Sequence, residues 1–257
     1  MAERMIGAGL RPCLWARRQE VLDRYARSDA VLATTRAEVG ASSDAIGLCL
    51  YDGAATDSVL FGADGLMTEI RPGTVLAVHS TVGPTYIQDL ARRVADAGVL
   101  VVDAPVSGGP AAATGQLLVI AGGDEAALER CGAMFASYAN KVVRTGGVGS
   151  AQAAKLVNNS LMTAITGLVF DAFDLGAALG IDQAGLGEVL ANGSAANPSV
   201  GTYLVMGPEQ FSLAAWPTLH KDVDLAHELG VPTGPLLDAA RASILEMERR
   251  RSSSAPT

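Results

Sequence analysis

Lysine is almost missing from this chain: three lysines stand against 16 arginines in 257 residues. Cysteine is nearly as scarce. Cys13, Cys49 and Cys131 form an odd, scattered set, which excludes a disulfide framework or a zinc site and implies buried free thiols in a reducing compartment. His79, His220 and His227 show no metal-ligand spacing, so no metal is expected. Positive charge is in deficit overall. A formal net charge of −8 and an isoelectric point near 4.9 exclude nucleic acid and anionic membrane surfaces as partners. Any anionic ligand must then be held by local cations. Long hydrophobic runs are also absent, none approaching the ~18 uninterrupted apolar residues of a membrane span. The first residues show no signal-peptide pattern, and a cytoplasmic location is expected. Internal repeats and low-complexity linkers are not found.

Apolar residues make up 49% of the chain, enough for a large core. Up to about residue 145, short apolar runs at 10–16, 30–34, 45–50, 74–79, 99–104, 117–121 and 141–145 read as strands. Several are apolar on both faces, as the buried strands of a parallel sheet must be. Helical patterns lie between them at 19–27, 35–39, 84–97 and 124–137. The second carries a Thr35…Glu38 capping box, and the third has Pro84 in its first turn. This alternation predicts an α/β, Rossmann-like doubly wound parallel sheet. After Gly149 the strand signals stop. One long helix is expected over 151–179, ended by Gly180, with further helices at 183–191, around 221–229 and at 235–250. The expected division is therefore 1–147 and an all-helical 148–257.

One of the three lysines, Lys155, sits just past the glycine turn 146–149, on the first turns of the long helix. Lysine differs from arginine in that its ammonium can lose a proton in a suitable environment. Leu156, Val157, Leu161 and Met162 are expected to desolvate it and lower its pKa, which makes it a candidate proton-transfer group. Asn159 lies one turn on, on the same face. A solvated lysine with an asparagine beside it is the ordinary alternative.

The segment Asp103-Ala104-Pro105-Val106-Ser107-Gly108-Gly109 falls at the end of a buried strand, where α/β sheets bind ligands. The Gly108 and Gly109 amides with the Ser107 hydroxyl could hold a carboxylate; taken alone, the same residues read first as a plain turn, and the carboxylate cradle gains weight only from the company of the other motifs. Arg17-Arg18 follow a strand at a place where an acid would favour NAD, so NADP is preferred and NAD possible if a cofactor binds. Two ordinary helix-start arginines are the alternative there. His79-Ser80-Thr81 end another strand and offer hydroxyls to a nicotinamide. Lys221-Asp222 could supply a cation to a phosphate, or Lys221 could pair with Asp224 at the surface. Neither Gly7-Ala8-Gly9 nor Gly147-Val148-Gly149 satisfies a phosphate-loop pattern.

In chain order, residues 103–109, Gly115-Gln116-Leu117 with Gly122-Gly123, residues 147–159, and Lys221-Asp222 resemble the β-hydroxyacid dehydrogenase family. That family includes 3-hydroxyisobutyrate dehydrogenases and glyoxylate/succinic semialdehyde reductases, and the resemblance covers nearly the whole chain. It implies a Rossmann domain, an all-helical substrate and dimerisation domain, NAD(P)-dependent hydride transfer on a small hydroxy or oxo acid, and a homodimer or homotetramer. Lys155 matches the catalytic position. Ser107, Gly108, Gly109 and Asn159 match substrate-contacting positions. Leu50, Thr81 and Lys221 match cofactor-contacting ones, with Tyr51, which replaces the family's usual proline, beside Leu50. Met1-Ala2 correspond to the helix after the family's Gly-x-Gly-x-x-Gly loop, so the first strand and that loop are expected to be missing. A catalytically impaired, dimerising paralogue and an imine-reductase-like enzyme are the rival expectations.

Overall fold

The computed structural model describes residues 1–232 and 234–253, in two compact units, Met1–Lys155 and Leu156–Thr257. In the first unit the main sheet has six strands: β3 (Ala45–Leu48), β4 (Val75–Val78), β5 (Leu100–Asp103), β6 (Val106–Ser107), β7 (Leu117–Gly122) and β8 (Ala139–Gly146). Their order is β3-β4-β5-β7-β6, with β8 also pairing with β7. β4 shows why these strands are legible. Leu76 and Val78 enter one core while Val75 and Ala77 enter the other, so both faces are buried and the run is continuously apolar. The first core is closed by Leu60, Ile87, Leu90 and Val94, the second by Leu128, Phe135 and Tyr138.

The sheet is the expected parallel Rossmann-like one with antiparallel pairings added at β7. β3, β4 and β5 are parallel, but β7 runs antiparallel to β5 and β6. Only a 3-10 turn, Gly109–Ala112, lies between β6 and β7, and a parallel crossover needs a helix or a similar length of chain. The first two expected strands shrink to β1 (Cys13–Leu14) and β2 (Val31–Leu32), a parallel pair outside the six-stranded sheet.

The helices of this unit are α1 (Ala2–Gly7), α2 (Gln19–Asp23), α3 (Arg36–Ser42), α4 (Gly53–Phe61), α5 (Pro84–Ala95), α6 (Glu125–Arg130) and α7 (Gly132–Tyr138). Thr35 caps α3 by accepting from the Glu38 amide at 3.2 Å. The Glu38 carboxylate reaches back to the amide of Thr34, one residue earlier than a standard capping box requires. Asp52 caps α4 through the Ala55 amide at 2.8 Å. The pattern expected at 124–137 divides into α6 and α7 at Cys131. Only Cys131 of the three free thiols is buried, and Cys49 is exposed, so the expectation of three buried thiols does not hold. Trp15 in this unit lies under the Arg36 guanidinium, 5.5 Å from the ring centroid.

The second unit is helical: α8 (Ser150–Ala178) continues into it, followed by α9 (Gln183–Asn192), α10 (Pro198–Glu228) and α11 (Pro235–Ser253). Asp182 and Asn197 cap α9 and α10. α10 is two helical stretches merged across a kink at Gly207, whose φ of +72° precedes Pro208. Phe170, Phe173, Leu219, Val223, Ile244 and Met247 form the cores, with Phe173 stacked on Tyr203 at 3.8 Å between centroids. A Cβ at Gly167 would fall on the Ser243 side chain, so glycine lets α8 and α11 approach closely. Trp216 is stacked on His220 at 4.6 Å and lies 3.9 Å from the Arg251 guanidinium. By length and composition α8 could cross a membrane; 44% of its most apolar window is buried in the structure.

Candidate active site

The carboxyl ends of β3, β4 and β5 gather most of the residues singled out in the first unit. Leu50 lies two residues past β3, Thr81 three past β4, and Ser107 four past β5. Ser107 is held in β6 opposite Leu118. Gly108 follows with φ of +89°, which side-chain-bearing residues rarely adopt, and the space where a Gly109 Cβ would stand is open. The loop therefore presents backbone to solvent beside one hydroxyl, a donor set suited to a carboxylate.

Asp103 ends β5 fully buried and binds the start of α8. Its carboxylate accepts from the amides of Gly149 at 3.0 Å, Ala151 at 2.8 Å and Gln152 at 2.9 Å. Burial drives its pKa upward from the ordinary carboxylate value, while those amides oppose the rise. Gly122 makes room for this capping carboxylate, since a Cβ there would lie 2.6 Å from Asp103 Oδ1. The Gly149 amide at the end of the 146–149 turn thus bonds within the protein.

Lys155 follows one turn later and is only 8% exposed. Its surroundings differ from those expected. Leu156 is buried, but Val157 and Leu161 are 58% and 50% exposed and lie on the outward side of α8. Asn159, one turn beyond and 5% exposed, donates its amide to Asp222 Oδ2 at 2.6 Å. Asp222 is itself 1% exposed, and its Oδ1 accepts from Lys221 Nζ at 2.6 Å. In the second unit one buried carboxylate therefore holds both Asn159 and Lys221. Lys221 thus bonds the buried Asp222, while Asp224 lies 3.5 Å from His220.

Ser80 corrects another expectation. Its hydroxyl is buried, accepts from the Leu50 amide at 2.9 Å and faces Leu48 O at 3.4 Å, so it is committed within the protein and not offered to a ligand. Gln152, fully buried, accepts from the Val82 amide at 3.1 Å and donates to Ser80 O at 2.9 Å. His79 is a buried neutral ring. Its Nδ1 donates to Ala104 O at 2.6 Å and its Nε2 accepts from the Tyr138 hydroxyl at 2.9 Å. Burial lowers its pKa to about 4.

The sequence reading missed Asp222 and Gln152 as organising residues. A buried acid beside Lys221, and a glutamine on the otherwise apolar start of α8, were the available signals. Arg17 and Arg18 are exposed after β1, and Tyr51 is 55% exposed. Among the described residues no cluster of three or more His, Cys, Asp or Glu is placed to hold a metal.

Residues 1–147 match the NAD binding domain of 6-phosphogluconate dehydrogenase, and residues 149–250 match a domain described as NAD-binding of NADP-dependent 3-hydroxyisobutyrate dehydrogenase. The chain belongs to the β-hydroxyacid dehydrogenase family. An uncharacterized oxidoreductase of Mycobacterium tuberculosis is 33% identical over 188 residues, covering 73% of this chain and 63% of that protein. The L-threonate dehydrogenase of Cupriavidus necator is 33% identical over 194 residues, covering 75% of this chain and 65% of its own length. The matched stretch thus spans less than two thirds of these relatives. A Mycobacterium tuberculosis 3-hydroxyisobutyrate dehydrogenase structure with L-serine superposes with a TM-score of 0.80. It is 22% identical, and the match covers 98% of this chain and 94% of that one, which supports a shared fold of Rossmann-like and helical domains.

A dinucleotide fits the residues present in part. Arg17 and Arg18 are exposed, with Glu20 in the first turn of α2 close behind them, and Leu50 and Thr81 follow the ends of β3 and β4. No Gly-x-Gly-x-x-Gly run occurs in these 257 residues to cradle a pyrophosphate.

Proposed function

We propose that the protein is an NAD(P)-dependent oxidoreductase that interconverts a small hydroxy acid and its oxo acid, with Lys155 as general acid and base. The observation that carries this reading is a buried lysine on a helix whose start is bound by Asp103, the residue four before Ser107. The names of relatives such as L-threonate dehydrogenase support the substrate class. Residues 1–147 are taken as the cofactor domain and 148–257 as the substrate and dimerisation domain.

In this mechanism the Ser107 hydroxyl and the Gly108 and Gly109 amides hold the substrate carboxylate, with Asn159 as a further polar contact. Lys155, neutral when it acts as a base, takes the proton of the substrate hydroxyl at Nζ; in the reverse direction it protonates the carbonyl oxygen. The nicotinamide, when bound, supplies the hydride chemistry. Leu50, Tyr51 and Thr81 would line its binding edge, Lys221 would meet a phosphate, and Arg17 and Arg18 favour NADP over NAD. Asp222 orients Asn159 and Lys221.

A homo-oligomer is part of the proposal. Val157, Leu161, Leu168 and Leu175 on α8, and Leu179 just past its end, are each 50–68% exposed and recur at spacings of four and seven. Such an outward apolar stripe on a 29-residue helix is the pattern of an interface between helices.

The test is fluorescence titration with NADPH and NADH, then turnover on a panel of 3-hydroxy acids. Lys155→Ala is expected to abolish turnover while leaving cofactor binding intact. Lys155→Arg is expected to fail nearly as badly, because guanidinium does not give up its proton. Undiminished turnover in Lys155→Ala would refute the role. If neither cofactor binds, the reading as a dimerising protein without catalysis replaces it.

A further inference from the structure

A polar chain in the first unit runs behind the residues assigned to chemistry. Asp103 binds three amides at the start of α8; Gln152, one of those three, turns its side chain to the end of β4. There its amide bonds Val82 N and Ser80 O, the two backbone groups that flank Thr81. Both bonds fix the orientation of the amide, since a carbonyl must face the N–H and an NH2 must face the carbonyl. Ser80 carries the chain onward, its hydroxyl accepting from the Leu50 amide. Three residues after Gln152 on the same helix stands Lys155.

We infer that Gln152, seated by Asp103, is a positioning residue that couples the Thr81 edge to the placement of Lys155. The inference rests on the reading of Lys155 as the proton carrier. A buried side chain could serve packing alone, but packing does not require an amide. A methionine would fill similar space, and a buried glutamine whose bonds were dispensable would cost stability through desolvation. What the amide adds is direction. It spans residue 81 as a strand partner would, so the loop and the first turns of α8 shift together or not at all. A displacement of about 1 Å at a reacting group can cost ~10²-fold in rate.

The experiment uses the full chain and two variants. Gln152→Met keeps the volume and removes both bonds. It is expected to lower kcat about 10²-fold while the substrate KM changes less than about threefold. Gln152→Glu keeps an acceptor for Val82 N but, when ionised, sets an oxygen against Ser80 O. Protonation restores a donor there, and burial raises a carboxyl pKa. Its kcat relative to the parent is therefore expected to climb about tenfold as pH falls from 8 to 5. A purely packing role predicts a ratio flat with pH, and that result overturns the inference.

A second readout does not need turnover. The chain has three lysines, Lys141, Lys155 and Lys221, so isotope labelling of lysine gives three assignable side-chain signals by NMR. Gln152→Met should move the Lys155 titration and leave that of Lys141, exposed on β8, in place. If Gln152→Met does not fold, the same comparison is made with Gln152→Glu at pH 8. A Lys155 titration superimposable on the parent's in a folded variant overturns the inference. A parent without turnover on any hydroxy acid would instead sink the proposed function, leaving the NMR comparison to decide on Gln152.

Discussion

Replacing His79 with asparagine should flatten part of the protein's pH dependence of stability by an amount that follows from the ring's surroundings. Nδ1 donates to Ala104 O and Nε2 accepts from Tyr138, so the neutral ring has both needs met. Protonation would bury a cation and turn the Tyr138 hydroxyl away. The nearby titratable groups, Tyr138 and beyond it Cys131, have pKa values pushed upward and stay neutral in acid. The pKa of His79 falls from an ordinary 6.5 to about 4 on folding. Between these values the unfolded chain binds the proton and the folded one does not. The contribution is present above pH 6.5 and is lost as pH falls towards 4, amounting to about 3 kcal/mol over the window. Asp103 acts with the opposite sign, its raised pKa favouring the folded state in acid, but it does so equally in both proteins. Urea unfolding at several pH values between 7 and 4, followed by circular dichroism, measures the difference. Asparagine can still donate to Ala104 O, so His79→Asn should cost about 1–2 kcal/mol at pH 7. The gap to the parent should close, and then reverse, by about 3 kcal/mol on reaching pH 4. A gap independent of pH would refute the reasoning.

Gly122→Ala should destabilise the first unit by about 2 kcal/mol in denaturant melts, since the new Cβ meets Asp103 Oδ1, Ser150 Oγ and Gly147 O inside 3 Å. Asp222→Ala should cost about 3 kcal/mol by unbinding Asn159 and a largely buried Lys221, and Asp222→Leu with Lys221→Met should recover most of that. If the double variant is as unstable as the single, the buried charge is not the cause. If the outward face of α8 forms the proposed oligomer interface, Leu168→Asp with Leu175→Asp should give a monomer in sedimentation with little change in helicity, because both side chains are 61% exposed, whereas an unchanged sedimentation profile would refute that interface.

The main sheet was legible because β4 and its neighbours are buried on both faces, which leaves a continuous apolar run. β6 was hidden inside a segment read for its glycines, and two residues are too few for alternation to register. The front half of α10 was hidden by Gly207, Pro208 and Pro217, which punctuate a sequence that nonetheless resumes its helix on either side of the kink. At the site, Lys155 and Asn159 could be singled out because their relation is local, one turn of helix. Asp103 could not, because its partners lie 46 to 49 residues away. The general clue was available all the same: an acid closing the apolar run Val99-Leu100-Val101-Val102 is buried, and a buried acid needs donors. Ser80 was misread for the converse reason. A hydroxyl at a strand end looks available until the amide of Leu50 is found to use it.

The two tryptophans fall one to each unit, Trp15 beneath Arg36 and Trp216 between His220 and Arg251. Each unit thereby carries its own optical reporter, set against a guanidinium that departs on unfolding. Trp216→Phe leaves a fluorescence signal for residues 1–155 alone, and Trp15→Phe leaves one for the helical remainder. Coincident melts would make the chain a single cooperative system despite its two cores, whereas separated melts would give each core a free energy of its own.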